Sequence, residues 1–354
     1  MAPTTAIDPT RPGLAARLAE GPVICAEGYL FELERRGYLQ AGAFVPEVVL
    51  AHPERVVALH EEFVHAGSDV VQAFTYYAHR EKLRVVGKDH LLDRINRQAL
   101  ELARRVALDT GTLLAGDVCN TNVFDPADPA GHGHVRAMFA EQVGWAAEVG
   151  VDFVIGETFR FLGEALIALE VIRSAGLPSV ITLNLHGEPR TREGVALPEA
   201  MRRLADAGAD VVGLNCAWGP ATMLPLLAEL VAAVDVPVAA LPVPYRTDPA
   251  HPNFQALVDP GKPTSTSGRP FPTGLDPFTC SRYEIAEFTA HAHAAGVRYL
   301  GLCCGAAPHH IRAMAEALGR TPPASRYSED MSRHVYFGSE PTLARHNLEY
   351  GRSL

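Results

Sequence analysis

Ala295-Gly296-Val297-Arg298-Tyr299-Leu300-Gly301-Leu302-Cys303-Cys304-Gly305 is the stretch that decides how this chain folds. It opens on the Ala-Gly pair that closes a helical pattern, where glycine is the expected C-cap. It runs on as a short, apolar, β-prone segment and ends on two adjacent thiols. A similar arrangement stands upstream, where Ala207-Gly208 leads into Ala209-Asp210-Val211-Val212-Gly213-Leu214-Asn215-Cys216. Ala66-Gly67 and Ala175-Gly176 introduce two more such runs. Buried-strand candidates recur along the whole chain, at 23–28, 69–75, 112–119, 152–158, 179–186, 210–216, 237–243 and 298–304. Helical patterns at 46–66, 91–108, 161–175 and 220–234 separate several of them. Alternating strands and helices mean a parallel sheet. Eight such units predict a single closed (β/α)8 TIM barrel over residues 1–320. An open doubly wound sheet would place a glycine-rich phosphate loop after its first strand. Cys25-Ala26-Glu27-Gly28-Tyr29 carries none, so a nucleotide site has no support.

One connection is abnormally long. Residues 244–280, between strands seven and eight, are rich in Pro, Gly, Ser and Thr, and on a barrel they would lie over the catalytic face. Past residue 320 the strand–helix pattern stops, and 321–354 reads as a polar and aromatic extension, an arm suited to contact or homo-oligomer formation. The formal net charge of -10 and the lack of any basic run argue against a nucleic-acid partner. No 18-residue apolar span and no signal-peptide pattern is seen, so no membrane partner is expected. Six cysteines in 354 residues do not make a disulfide framework. A reducing, cytoplasmic setting with free thiols is the expectation.

Barrel active sites sit at the C-terminal ends of the strands. Here those ends carry Glu27, Gln72, Phe74, Tyr77, Asp117, Cys119, Asn120, Glu157, Thr158, Asn184, His186, Asn215, Cys216, Cys303 and Cys304. Buried polar groups at such density are costly unless used or paired. None of the eight ends carries a lysine, and the chain has only Lys82, Lys88 and Lys262, which argues against Schiff-base chemistry. Cys216, Cys303 and Cys304 place three thiols at the ends of two matching strands. Three soft ligands suit Zn²⁺ and leave a fourth tetrahedral position open, the pattern of a catalytic site. A vicinal disulfide is the alternative for the adjacent pair, disfavoured in a reducing compartment. Cys25 and Cys119 read as small buried hydrophobes. His309 and His310 follow Pro308, which suits the first turn of a helix better than a ligand role. Within Phe74-Thr75-Tyr76-Tyr77, strand alternation would put Phe74 and Tyr76 on one face and Thr75 and Tyr77 on the other. A zinc- or redox-responsive thiol regulator is a competing reading, but a sensor would not need so furnished a pocket.

The residues also resemble a known family. Phe31-Glu32-Leu33-Glu34-Arg35-Arg36-Gly37-Tyr38, His52-Pro53-Glu54, Gln72-Ala73-Phe74-Thr75-Tyr76-Tyr77-Ala78, Gly213-Leu214-Asn215-Cys216 and Gly296 through Gly305 are similar to segments of the homocysteine S-methyltransferases, those using betaine above all. The resemblance implies a zinc-dependent methyltransferase. Cys216, Cys303 and Cys304 would bind Zn²⁺, homocysteine would be the thiol acceptor, and the donor would carry an onium methyl, as in glycine betaine, dimethylsulfoniopropionate or S-methylmethionine. It implies that Glu157 receives the acceptor's amino group and that Tyr77 lies in the donor site, within a pocket completed by Glu27, Gly28, Phe44, Phe74, Thr158, Asn215 and Trp218. The chain also departs from the betaine-using pattern. Ala26-Glu27-Gly28 stands where the family has Asp-Gly-Gly, Phe44 where it has tryptophan, and Thr158 where it has tyrosine. Lost aromatic area predicts a roomier donor pocket, with Trp218 as a replacement face, and it favours a bulkier betaine or a sulfonium. The altered Ala26-Glu27 end leaves a different thiol acceptor as an alternative.

Overall fold

Every second residue of each strand points to the same side, and that parity builds the interior of this protein. The computed structural model describes residues 12–259 and 269–354. Lys262 and the middle of the 244–280 connection lie outside the described residues, as do residues 1–11. Eight parallel strands close in sequence order into one barrel: β1 Val23–Ala26, β2 Val70–Gln72, β3 Leu113–Cys119, β4 Phe153–Phe159, β5 Ser179–Leu183, β6 Val211–Asn215, β7 Val238–Leu241 and β8 Tyr299–Leu302. Closure is sealed by β1 on β8, with Val23 opposite Tyr299 and Ala26 opposite Leu302.

The lower interior is apolar. Val23 and Cys25, Val70, Leu113 and Ala115, Phe153 and Ile155, Val180, Val211, Ala239 and Leu241, and Tyr299 form one buried cluster. Leu14 and Leu18 of the helix Leu14–Glu20 belong to it and plug the bottom. A repeated carboxylate device ties the strand starts together there. Asp69 accepts the Ile24 N–H at 2.8 Å, Asp152 that of Leu114 at 2.7 Å, and Asp210 that of Ser179 at 2.9 Å. Arg320 closes the same end by pairing with Asp69 at 2.6 Å. Beyond it, among the described residues, no further strand joins the barrel. Short turns and the helix Arg345–Gly351 follow, with Tyr327, Phe337 and Tyr350 exposed.

Two expected elements differ. The helical pattern at 46–66 is broken into Val48–Ala51 and Pro53–Ala66. His52 precedes a proline and takes an extended φ of -141°, because the proline ring disfavours α geometry in the residue before it. The second strand ends at Gln72, and Phe74 to Tyr77 form a turn, so the expected alternation of those four side chains does not apply. The glycine pairs do end helices as read. Gly67 and Gly296 sit at φ of 114° and 101°, a region that side-chain-bearing residues resist.

The described parts of the long connection fold back onto the mouth. Tyr245 bridges to Thr279, and the Phe254 N–H donates to the Ala217 carbonyl at 2.9 Å. The Asn253 amide donates to the His186 carbonyl. Tyr245 stacks on Phe254, the Phe31 ring lies tilted 6.1 Å from that of Phe254, and Phe44 stacks on Phe31 at 5.9 Å between ring centres.

Candidate active site

Climbing two residues along several strands from the apolar layer changes the chemistry. Cys25 is followed inward by Glu27, Val70 by Gln72, Ala115 by Asp117, Ile155 by Glu157 and Val180 by Thr182; β6 delivers Asn215 and β8 leads to Cys303. All are buried. The barrel therefore holds a polar chamber directly above its core. Glu157, only 2% exposed, accepts from Gln72 Nε2 at 3.0 Å and from Asn215 Nδ2 at 2.7 Å. Asn215 Nδ2 also lies 3.5 Å from Glu27 Oε2.

This chamber has more acceptors than donors. Glu27 Oε1, Gln72 Oε1 and both Asp117 carboxyl oxygens are buried without a hydrogen-bond partner. Burial, then the charge of Glu157, pushes the Glu27 carboxyl well above the usual carboxylate range, and the same two causes act on Asp117. Glu157 itself is raised to about 7, by burial first and by Cys216 second. Three carboxyls facing one another without a basic partner at hydrogen-bond distance are complementary to a cationic, donor-rich guest.

The thiols stand at the rim of the chamber. Cys216 Sγ is 3.8 Å from Cys304 Sγ, and Cys303 Sγ is 3.9 Å from Cys304 Sγ. Ligand atoms of all three fall within 4.8 Å of one another. A tetrahedral ion with sulfur bonds of about 2.3 Å sets its ligands about 3.8 Å apart, so the residues fit a soft metal. Cys303, Glu27 and Glu157 form a second group on the same limit, which puts the carboxylates beside the thiols. The Cys303 and Cys304 thiols turn toward Cys216 and hold it well below the ordinary thiol range, while their own titration is pushed up.

Parity alone would not bring Cys216 inward, since Asn215 takes that direction. Cys216 and Ala217 adopt left-handed backbone, with φ of 57° and 42°, and this turn swings the thiol over the chamber. Phe44, Tyr77, Asn122 and Thr158 are the other described non-glycine residues with φ of this sign. Such strained conformations concentrate at functional sites. Sequence reading gave no signal for them.

The remaining candidates are placed as follows. Gly28 precedes the helix Tyr29–Arg35 and packs so closely on Ala306 that no Cβ fits. Phe74 is buried with its ring 5.7 Å from that of Tyr29, inside the main core. Tyr77 is half-buried, its N–H donating to Cys119 Sγ at 3.3 Å. The Lys82 ammonium lies 4.7 Å from the Tyr77 ring centre. Thr158 donates its N–H to Asn215 at 3.0 Å, and its hydroxyl reaches Asn120 at 2.8 Å. Trp218 is buried with its indole N–H unpartnered. Phe44 stacks on Phe31, and no ring contact joins it to Tyr77. His310 is spent structurally, on the Ala307 N–H at 3.2 Å and the Cys280 carbonyl at 3.1 Å. Gln72 and Asp117 are strand-end residues to which sequence reading gave no role. Their signal was position: two residues above the apolar layer, on the inward parity.

A parallel barrel with three convergent thiols beside a buried acidic chamber, all at the C-terminal strand ends, places the chain in the TIM-barrel class, where such ends carry the active site. Residues 24–318 match the family model for homocysteine S-methyltransferase. Betaine–homocysteine S-methyltransferase 1 of Xenopus tropicalis is 38% identical, over 100% of this chain and 87% of its own length. S-methylmethionine–homocysteine S-methyltransferase BHMT2 of Mus musculus is 34% identical, over 97% of this chain and 92% of its own. The metallated form of the homocysteine methyltransferase MmuM from Escherichia coli shares the fold, with a TM-score of 0.66 at 19% identity, covering 86% of this chain and 99% of that one. The chain belongs to the homocysteine S-methyltransferase family and is a methyltransferase. No helix among the described residues is long and apolar enough to cross a membrane.

Proposed function

We propose that this enzyme moves a methyl group from an onium donor to the thiol of homocysteine, with Zn²⁺ held by Cys216, Cys303 and Cys304. The observation that carries the reading is the triad itself, sulfurs 3.8 and 3.9 Å apart, set against a carboxylate chamber. A bound Zn²⁺ would supply an open coordination position at which a substrate thiol loses its proton at neutral pH. The chain's own residues then do the positioning. Glu157 and Glu27 take the acceptor's ammonium, which meets the unpartnered acceptors of the chamber. Gln72 and Asn215 hold the Glu157 carboxylate in place from its two oxygens. Asn215 also fixes Thr158 on the donor side. The acceptor sulfur bonds to the methyl carbon while the methyl–onium bond breaks, and that electron pair leaves on a neutral amine or sulfide. No side chain needs to move a proton during transfer, so alignment and exclusion of water carry the rate. Tyr77 offers a ring face to the onium charge, worth about 0.5–2 kcal/mol. That Lys82 already rests its ammonium near this ring supports the assignment. Phe44 and Trp218 belong to the same donor pocket in this reading.

The test is methyl transfer on metal-quantified protein, with homocysteine offered glycine betaine, dimethylsulfoniopropionate and S-methylmethionine in parallel. About one zinc per chain and methionine from one donor is the expected result. Protein without metal, or metallated protein that makes no methionine from any of them, refutes it. We further assign residues 321–354 as a separate arm for self-association, from its exposed aromatics. Truncation after Arg320 should lower the number of chains per particle found by light scattering, and an unchanged number counts against it.

A further inference from the structure

Where β4 ends, the chain runs from Thr158 through Phe159 to Arg160. Arg160 lines a cavity of about 480 Å³ together with Asn184, His186 and Arg192. A second hollow of about 190 Å³, bounded by Asn120 and Asn122, shares Arg160 and Arg192 with the first. The two spaces therefore meet at a pair of arginines, beside the end of β4. Arg160 is half-buried, and its Nε is buried without a hydrogen-bond partner. His186 Nε2 and Asn184 Oδ1, in the same wall, are also buried and unpartnered.

The nearby carboxylates are largely committed elsewhere. Glu164 lines the smaller hollow with Arg160 and feels its charge, but its carboxylate accepts from the Thr121 N–H at 2.7 Å and hydroxyl at 2.6 Å rather than from the guanidinium. Glu193 accepts the N–H groups of Leu162 at 3.0 Å and Gly163 at 2.9 Å. Glu188 pairs with Arg190 at 3.3 Å. Arg192 lies over the Phe161 ring at 5.3 Å, which brings a second cation to the wall. The Arg160 charge is close enough to Tyr77 and to His186 to bias the titration of both, and His186 also feels Cys216. The guanidinium shares its cavity wall with His186 and follows Thr158 by two residues along the strand-four end. A buried guanidinium nitrogen left unpaired calls for an anion, and a carboxylate matches its geometry best.

We propose that Arg160, with His186 beside it, forms an anion subsite for a carboxylate on the methyl donor. The donor is then a zwitterion, its onium methyl presented to the acceptor sulfur and its carboxylate held at the strand-four end. A donor with a net positive charge, such as S-methylmethionine, meets two arginines and is disfavoured. This inference rests on the methyl-transfer reading above.

The experiment pairs Arg160→Ala and Arg160→Lys with two sulfonium donors, dimethylsulfoniopropionate and trimethylsulfonium, which differ by the carboxylate arm. In Arg160→Ala the ratio of kcat/KM for the carboxylate donor to that for trimethylsulfonium should fall roughly 10- to 100-fold, the scale of one charge-assisted hydrogen bond. Arg160→Lys should recover part of the ratio. A ratio unmoved by Arg160→Ala overturns the proposal. Calorimetric titration of dimethylsulfoniopropionate onto the zinc-loaded protein reads the subsite without turnover. Binding by the wild type that weakens in Arg160→Ala supports it; equal binding by both, or none by the wild type, overturns it. Wild-type protein that binds this donor but makes no methionine from any donor sinks the methyl-transfer reading instead.

Discussion

Replacing Glu157 with glutamine asks whether the acidic chamber holds the acceptor's ammonium. The side chain is 2% exposed, with Gln72 Nε2 at 3.0 Å from one oxygen and Asn215 Nδ2 at 2.7 Å from the other. Glutamine keeps the shape but loses the charge, and its NH₂ must face one of those two donors. Neutralising one member of a buried charge pair costs about 2–5 kcal/mol. For homocysteine that is a fall in kcat/KM of roughly 30- to 5,000-fold. The assay is a cycle of two enzymes and two acceptors, the second being homocysteine without its amino group. The wild type should lose a comparable factor on the desamino acceptor, and Glu157→Gln should then add little further loss. A coupling energy of about 2 kcal/mol or more is expected between side chain and ammonium. Strict additivity, with the mutation costing the same factor on both acceptors, would refute this assignment of Glu157.

Other outcomes follow from single features. Cys304→Ala removes one corner of the sulfur triangle; metal content measured by mass spectrometry should drop well below the wild-type value, and full retention would rule Cys304 out as a ligand. Gly301→Ala drives a Cβ into the Cys25 carbonyl and the Leu241 side chain at the barrel seam, so denaturant unfolding should show a loss of about 1–3 kcal/mol. His60 is fully buried, neither ring nitrogen has a partner, and burial followed by the Arg105 charge lowers its pKa to about 3. The folded protein therefore keeps His60 neutral while the unfolded chain protonates it below pH ~6.5. That contribution is level above this pH and is lost as pH falls toward 3; by pH 4 the loss amounts to about 3 kcal/mol. In His60→Leu the stability gap to the wild type should change by that amount between pH 7 and 4, and parallel pH profiles would refute the assignment.

Much of the architecture was written in local signals. Apolar runs repeated eight times, four of them entered through Ala-Gly caps, can only bury both faces of their strands in a parallel sheet, and the count closes it. The period of two then placed Glu27, Gln72, Asp117, Glu157 and Asn215 inward, one step above the apolar layer, because a pleated strand has no other way to point them. Three thiols at two strand ends likewise announced a soft-ligand cluster.

Tertiary structure decided what local signals do not encode. The sulfur spacing depends on the left-handed turn at Cys216 and Ala217, a conformation of individually unfavourable residues that only the surrounding barrel can impose. The aromatic segment after β2 is a turn because the strand stops at Gln72, so Tyr77 points where its turn and Cys119 send it. Arg160 looked like any of the chain's many arginines. Its unpartnered Nε is a property of space, set by which carboxylates Thr121, Leu162, Gly163 and Arg190 had already claimed. Sequence period fixes a direction for each side chain, whereas partnership is fixed only when distant segments meet.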